Sequence, residues 1–388
     1  MAKRTNHVIV VGAGLGGLAG ALHLRSAGYE VTIIERQPGP GGRFGALEID
    51  GFRFDVGPGG APALRDLSAV LGVVGERLDD WAEVQVLDPV CRAHYPDGAT
   101  IDVFDDPHRT AEAIAAVCGR AEARAYLRWR RWGALAGLTD PRTRRLFGAA
   151  ALFGYDPIGE SRCVRGGGDA LARIMASVCE KHGISMWYRM RVGKWKTERD
   201  RVVAVVTDGG ESVPVDAVVL PRRTVGRGPS CLMLHLGAAG SYGRIARRNV
   251  HFGRAWRRSR HELLVRGELM RDPTIAVEDS GGGAYRVAVP VPDLRLAPMD
   301  WDGIAARAYA GEIVATLEAR GYLDLGMSLS VSYVVTPAHW ARQGMAYGIP
   351  FGDSSHTRRH PALANVVYSG SGLQGGRRAA HWIMGSLS

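Results

Sequence analysis

The chain has 388 residues, 46% of them hydrophobic, with a formal net charge of +10 at pH 7; this excludes a disordered chain and leaves room for one large domain plus a second region. No stretch approaches the roughly 20 uninterrupted apolar residues of a spanning helix, and residues 1–7 lack the apolar core of a secretion signal, so a cytoplasmic protein is expected, with membrane contact at most peripheral. The charge is almost all arginine, clustered at Arg128, Arg130 and Arg131, at Arg142, Arg144 and Arg145, at Arg222 and Arg223, and at Arg254, Arg257, Arg258 and Arg260; without an aromatic-interleaved motif beside it, it reads as a solvated surface, and nucleic acid is not an expected partner.

The first elements are the most explicit. Residues 8–11 are a β-branched run that predicts a buried parallel strand, followed at once by Gly12-Ala13-Gly14-Leu15-Gly16-Gly17. Apolar spacing predicts a helix over 18–27, ended by Gly28, and a second strand over 31–34 that ends at Glu35. In such a βαβ unit Gly12 permits the tight turn, Gly14 lets backbone approach a pyrophosphate, and Gly17 lets helix pack on strand. The helix N-terminus faces the phosphates, and Glu35 can accept hydrogen bonds from a ribose. Arg36 adjoins it. Gly41-Gly42-Arg43 then brings a second backbone stretch and a phosphate-binding guanidinium.

These residues resemble the flavoenzymes that combine a GxGxxG, an acidic residue and a GG-R doublet, which points to FAD as cofactor. Gly51-Phe52-Arg53-Phe54-Asp55-Val56-Gly57-Pro58 narrows the resemblance to the phytoene desaturase family of carotenoid desaturases and isomerases, and adds Gly57 and Pro58 to the cofactor-binding set. Further on, Arg165-Gly166-Gly167-Gly168-Asp169-Ala170-Leu171 is similar to that family's entry to a helix, here 169–182. The resemblance places Val192 at a cofactor-facing valine. A hairpin is predicted from 202–206 and 213–215, turning at Asp208-Gly209-Gly210, with a strand at 217–220. Residues 230–237, 287–292 and 361–370 continue the match, and Gly370 and Gly372 join the cofactor set.

The implied fold is α/β: a Rossmann-type FAD-binding domain with an interleaved α+β substrate domain. The expected parts are FAD-binding over 1–61, a helical substrate and lid segment over 62–163, FAD-binding over 164–222, a substrate-domain sheet and helix over 223–345, and FAD-binding again over 346–388. Three departures from the family stand out. The 62–163 segment is shorter, so is the passage after Leu220, and near 369–376 a Thr-x-Pro-Gly loop that lies beside the flavin ring in the family is missing.

Candidate catalytic groups are few. There is no GxSxG, HExxH or Cys/His dyad. His339 is a cavity acid/base candidate beside the plainer reading of a packed or surface histidine. Tyr155, within Phe153-Gly154-Tyr155-Asp156-Pro157, reads as tunnel lining or as an ordinary turn. Asp79-Asp80 and Asp105-Asp106 read as caps or loops, and Trp129 and Trp132 as core or lid packing. Cys91, Cys118, Cys163, Cys179 and Cys231 have no zinc or disulfide spacing, so reduced thiols and no metal are expected.

The resemblance implies an apolar small-molecule substrate, a long polyene or polyketide, in a cavity lined by apolar and aromatic side chains. In length and in the missing loop the chain resembles shortened family members of actinomycete polyketide clusters, including those of polyether tetronates. Three functions share this fold: a redox-neutral ring-forming cyclase holding FAD structurally, narrowly favoured; an FAD-dependent desaturase of a carotenoid-like polyene; and a non-catalytic carrier of a lipid-like ligand. Oligomeric state is left open.

Overall fold

The computed structural model describes residues 6–57, 64–133, 137–153, 156–221, 228–239, 242, 245–297, 299–350, 357–370 and 372–387. Two sheets dominate it. The first has six strands in the order Arg358–Arg359, Val366–Ser369, Ala217–Pro221, His7–Val11, Glu30–Ile34 and Ser185–Trp187; the last five are mutually parallel, and Arg358–Arg359 joins antiparallel at the edge. Val8, Ile9 and Val10 are fully buried because helices cover one face and a three-stranded sheet the other.

The helix Leu15–Ser26 buries Leu15, Leu18, Leu22 and Leu24, each contributing about 1.5–3 kcal/mol by removal from water. It lies against the last helix, Gly372–Leu387, at very short range: a methyl on Gly376 would fall 1.9 Å from the Gly16 carbonyl oxygen. Glycine is required there for contact, and the spacing Gly16, Gly20 against Gly372, Gly376 is the helix-packing signal that makes it. The helix Gly167–Lys181 completes this layer. The predicted hairpin is present as Arg201–Thr207 paired with Ser212–Pro214, and a strand not expected from the sequence, Val192–Glu198, pairs with its other edge.

The second sheet has seven strands, in the order Leu329–Val335, Ser230–Ala238, Ala284–Val291, Ile275–Asp279, Arg248–His251, Cys91–His94 and Thr100–Val103. Its last two strands come from the 62–163 segment, so that segment is not purely helical. They alternate buried and partly buried residues, Cys91 and Ala93 inward, as a strand docked on a sheet edge must. The helices Pro107–Cys118, Arg120–Trp132 and Pro141–Gly148 then pack on the sheet face that carries Met233, Val250, Ala276 and Ala288.

Candidate functional site

The nucleotide end is built mainly from backbone. Gly12 turns the chain with φ +95°, and its N–H donates to the Ile34 carbonyl at 2.8 Å. A methyl on Gly17 would lie 2.0 Å from the Gly12 carbonyl oxygen, so only glycine lets the helix start this close to the strand. The buried Glu35 carboxylate accepts N–H bonds from Ala13 at 2.7 Å and Gln37 at 2.8 Å. Arg36 is exposed beside it.

Gly41 pairs with Gly14 as a parallel bridge, its N–H reaching the Ala13 carbonyl at 2.9 Å, so the GG-R stretch lies against the glycine turn. Arg43, half-buried, donates from Nη1 to the Pro350 carbonyl at 2.7 Å, and burial lowers its pKa. Gly57 closes on it: a methyl there would be 2.0 Å from the Arg43 carbonyl oxygen.

These residues fit a dinucleotide. No side chain caps the helix that starts at Leu15, and a Cβ at Gly14 would meet no atom within 4 Å. Open space therefore faces unpaired N–H groups at a helix N-terminus, with Arg43 nearby, as a pyrophosphate requires. Gly370 and Gly372 lie across the first helix, their carbonyls 3.4 and 3.2 Å from a Cβ built on Gly16. Val192 opens its strand and packs in the cluster of Ile9, Ile34 and Val202. Pro58 and Tyr155 lie outside the described residues.

At the junction of the two sheets a narrow, partly open cleft lies between them. It lies where a cavity was expected, but its lining corrects the expectation. Phe44, Leu64, Val164 and Leu171 share it with Arg43, Asp55, Arg247, Arg248, Glu278 and Arg286. The reason is a polar row across the second sheet. Tyr333 is in register with His235, His235 with Arg286, Arg286 with Glu278, and Glu278 with Arg248. Residues directly opposite one another share a face, so one polar residue from each of five strands points towards the nucleotide domain. Two residues along on the same face stand Met233, Ala288, Ala276 and Val250, under the helices.

The row is tightly tied. Arg286 forms an ion pair with Glu278 and donates to the Gly57 carbonyl, joining the sheets. Arg248 approaches Glu278 at 4.0 Å and donates to the Glu160 carbonyl at 2.6 Å. Although burial opposes it, the charges of Arg286, Arg248 and Arg247 hold the Glu278 carboxyl below its usual range. The His235 Nε2 faces the Asp55 carbonyl at 3.2 Å and must carry the proton, since a carbonyl only accepts. Burial pushes its pKa down to about 4. Asp55 takes N–H bonds from Gly168 at 3.1 Å and Asp169 at 3.2 Å, at the start of the helix Gly167–Lys181, yet burial still raises its pKa.

Other candidates lie elsewhere. His339 sits on the helix Pro337–Arg342 with Nε2 against Gln343 at 2.8 Å, and is not part of the cleft wall. Asp106 caps the helix Pro107–Cys118 by accepting from His108 N–H, Asp105 accepts from the Ser161 hydroxyl, and Asp79 and Asp80 lie in a short turn. Trp129 packs on Phe147, with ring centroids 4.6 Å apart, but Trp132 is 72% exposed and packs in no core. The cysteines are free thiols, and burial pushes Cys91, Cys118 and Cys231 up to about 12. Among the described residues no cluster suits a metal ion and no helix is long and apolar enough to cross a membrane.

Sequence reasoning missed His235, Glu278, Arg286, Arg247 and Arg248, and left Asp55 as a mere part of a signature. A signal existed: His235 interrupts the run Ser230–Ala238, and Arg286 is the only charge in Ala284–Val291. A lone polar residue in a buried strand needs partners, but the pairing that supplies them is set by register.

Comparison with known proteins agrees with this architecture. Residues 10–73 match the NAD(P)-binding Rossmann-like domain family. The chain is similar to the phytoene dehydrogenase of Streptomyces griseus, 32% identical over 89% of this chain and 85% of the relative. That alignment spans 432 positions, more than the 388 residues of the chain, so parts of the relative have no counterpart here. The zeta-carotene-forming phytoene desaturase of Myxococcus xanthus is 24% identical over 95% of this chain and 90% of its own. Among solved structures, a putrescine oxidase bound to putrescine superposes with a TM-score of 0.59 at 16% identity, covering 98% of this chain and 99% of that one, a likeness of fold. With a backbone-built dinucleotide site at the edge of a substrate sheet, and this identity along nearly its whole length, the chain belongs to the phytoene desaturase family of flavoenzymes.

Proposed function

We propose that the protein binds FAD and works as a desaturase-like oxidoreductase on a long polyene. The observation that carries this reading is the 32% identity to a phytoene dehydrogenase across 89% of the chain, supported by a nucleotide end and a cleft joined at Arg43 and Gly57. The residues for FAD are Gly12, Ala13, Gly14, Leu15, Gly16 and Gly17 around the pyrophosphate, Glu35 at the ribose, and Gly41, Gly42 and Arg43 closing over the phosphates. Bound there, FAD supplies the two-electron acceptor that removal of two hydrogens from a carbon–carbon bond requires.

The chain's own part is to hold the substrate and accept the accompanying proton. Of the two carboxyls in the cleft, Glu278 is held ionised by arginines. Asp55, whose pKa burial raises, is the better proton acceptor, because a base works best when its pKa approaches the working pH.

A second reading, redox-neutral ring closure directed by cavity shape, is favoured by one feature. The chain enters the last helix at Gly372, directly after the strand Val366–Ser369, with no loop of the family type between them. Anaerobic turnover with a candidate polyene, followed by mass spectrometry and by the flavin visible band, separates the two. A product lighter by two hydrogens, with stoichiometric bleaching, is expected. A product of unchanged mass without bleaching replaces the oxidoreductase with the cyclase, and binding without any product leaves a carrier.

A further inference from the structure

Two residues of the second sheet hold one short strip of backbone between them. His235 donates from Nε2 to the Asp55 carbonyl at 3.2 Å, and Arg286 donates from Nη1 to the Gly57 carbonyl. The strip continues the strand Phe52–Asp55 and closes on Arg43 at Gly57. The Asp55 carboxyl is gripped separately, by the Gly168 and Asp169 N–H groups at 3.1 and 3.2 Å. A methyl on Gly167 would lie 2.2 Å from Asp55 Oδ2, so glycine is needed for the carboxyl to sit at this helix start. Sheet and helix together fix both the backbone and the side chain of Asp55.

Charge reaches this carboxyl from every element packed around it. The second sheet supplies Arg286, Glu278 and, one strand further, Arg248, with Arg247 just before that strand; the nucleotide turn supplies Arg43. The helix supplies Asp169, whose own carboxyl pairs with Arg53 and Arg173. His235 is neutral at neutral pH, since burial holds its pKa down at about 4. After burial, which raises the Asp55 pKa, the strongest of these charges is Arg286, which favours the carboxylate, and Glu278 opposes it. Those two form an ion pair with side chains only 11% and 21% exposed, so water screens them little. An arginine acting alone would hold Asp55 as a carboxylate reluctant to take a proton. A glutamate acting alone would favour an Asp55 that already carries one.

We propose that Arg286 and Glu278 are a matched pair of positioning residues for the proton-accepting step: Arg286 fixes Asp55 through the Gly57 carbonyl, and Glu278 offsets enough of the guanidinium charge for the Asp55 carboxylate to take a proton from the substrate. This rests on the desaturase-like reading above. In that step one substrate carbon gives its proton to an Asp55 oxygen, while the adjacent carbon gives its hydrogen with two electrons to FAD, and the double bond forms between them.

The test titrates Asp55 itself in the FAD-loaded full chain. Protein labelled with [4-13C]aspartate is followed by carbon NMR against pH, and Asp55→Asn identifies the resonance by removing it. Arg286→Gln should raise the proton affinity of the Asp55 carboxyl by at least about threefold, and Glu278→Gln should lower it by at least about threefold; a close opposite charge gives about tenfold or more. The double variant should fall between the two. Arg286→Lys keeps the charge and should return the midpoint to within about twofold of the parent, and Arg248→Gln, one strand further, should move it by less than about twofold. Shifts in the same direction for the two single variants, or no shift, overturn the proposal. So does a lysine that titrates like glutamine, or an Arg248→Gln shift as large as that of Arg286→Gln, because the row as a whole would then act and not the pair. Should Arg286→Gln melt before it can be titrated, the double variant replaces it and must bind the proton more tightly than Glu278→Gln. The titration needs no substrate, so a protein that converts no polyene removes the oxidoreductase reading by itself, while the pairing at Asp55 is decided by the carbon signal.

Discussion

The two walls of the cleft are made of different materials. On the nucleotide side the contacts are peptide groups: the Gly12 turn, the uncapped helix start at Leu15, and the Gly14–Gly41 bridge. On the substrate side they are side chains, one from each of five strands, tied through Arg286, Glu278 and Arg248. A wall of backbone tolerates no added atoms but carries little specificity beyond phosphate. A wall of side chains can be retuned one residue at a time without moving the sheet beneath it, which is how one fold serves many substrates.

Two valines break that comparison most sharply. Gly376→Val places methyls against the Gly16 carbonyl oxygen, 1.9 Å from the first added carbon, and should cost at least about 3 kcal/mol of stability, read as a lower urea midpoint. Gly14→Val adds atoms where nothing lies within 4 Å. It should leave the apo chain within about 1 kcal/mol of the parent yet yield colourless protein that fails to take up FAD in calorimetry.

Next in size, Glu278→Gln removes the carboxylate shared by two largely enclosed arginines and should destabilise by about 3 kcal/mol, measured by urea denaturation at neutral pH. Stability should also fall in acid. His235 and His23 have pKa values of about 4 in the fold, whereas an unfolded histidine titrates near about 6.5. Between these values the unfolded chain binds more protons, so stability is full above the upper value and is lost as pH falls towards the lower one, by at most about 3 kcal/mol for each ring. His94 and His251, stacked at 4.1 Å and also lowered by burial, act in the same direction. A urea midpoint that does not drop between neutral pH and pH 5 contradicts this. The smallest effect is that of Cys118→Ala, which should cost under about 1 kcal/mol and leave FAD content unchanged, because burial keeps that thiol protonated and out of the chemistry.

What was legible in the sequence follows the same division. Gly12, Gly14, Gly17, Glu35 and Arg43 lie within thirty-two consecutive residues, so spacing alone specifies the turn, the helix start and the acid. His235, Arg286, Glu278 and Arg248 are scattered over four strands and meet only through register. Nothing local distinguishes Arg248 from its neighbour Arg247, or either from the surface arginines. The apolar lining expected for the cleft came from the family's substrates, and the sheet instead turns its polar row to that side. The strand Cys91–His94 was hidden for a similar reason: its parallel partner, Arg248–His251, lies more than 150 residues away.

The first sheet is stitched from three distant stretches of chain: its central strand His7–Val11 pairs with Ala217–Pro221, which in turn pairs with Val366–Ser369, and the last helix clamps the first. During synthesis the glycine turn emerges early but waits for the strand Val366–Ser369 and the helix after it before its sheet can close. Closure of that sheet is therefore slow and long-range, and it exposes apolar strands meanwhile. A cell making this protein would gain more from chaperone capacity while that sheet stands open than from any faster start.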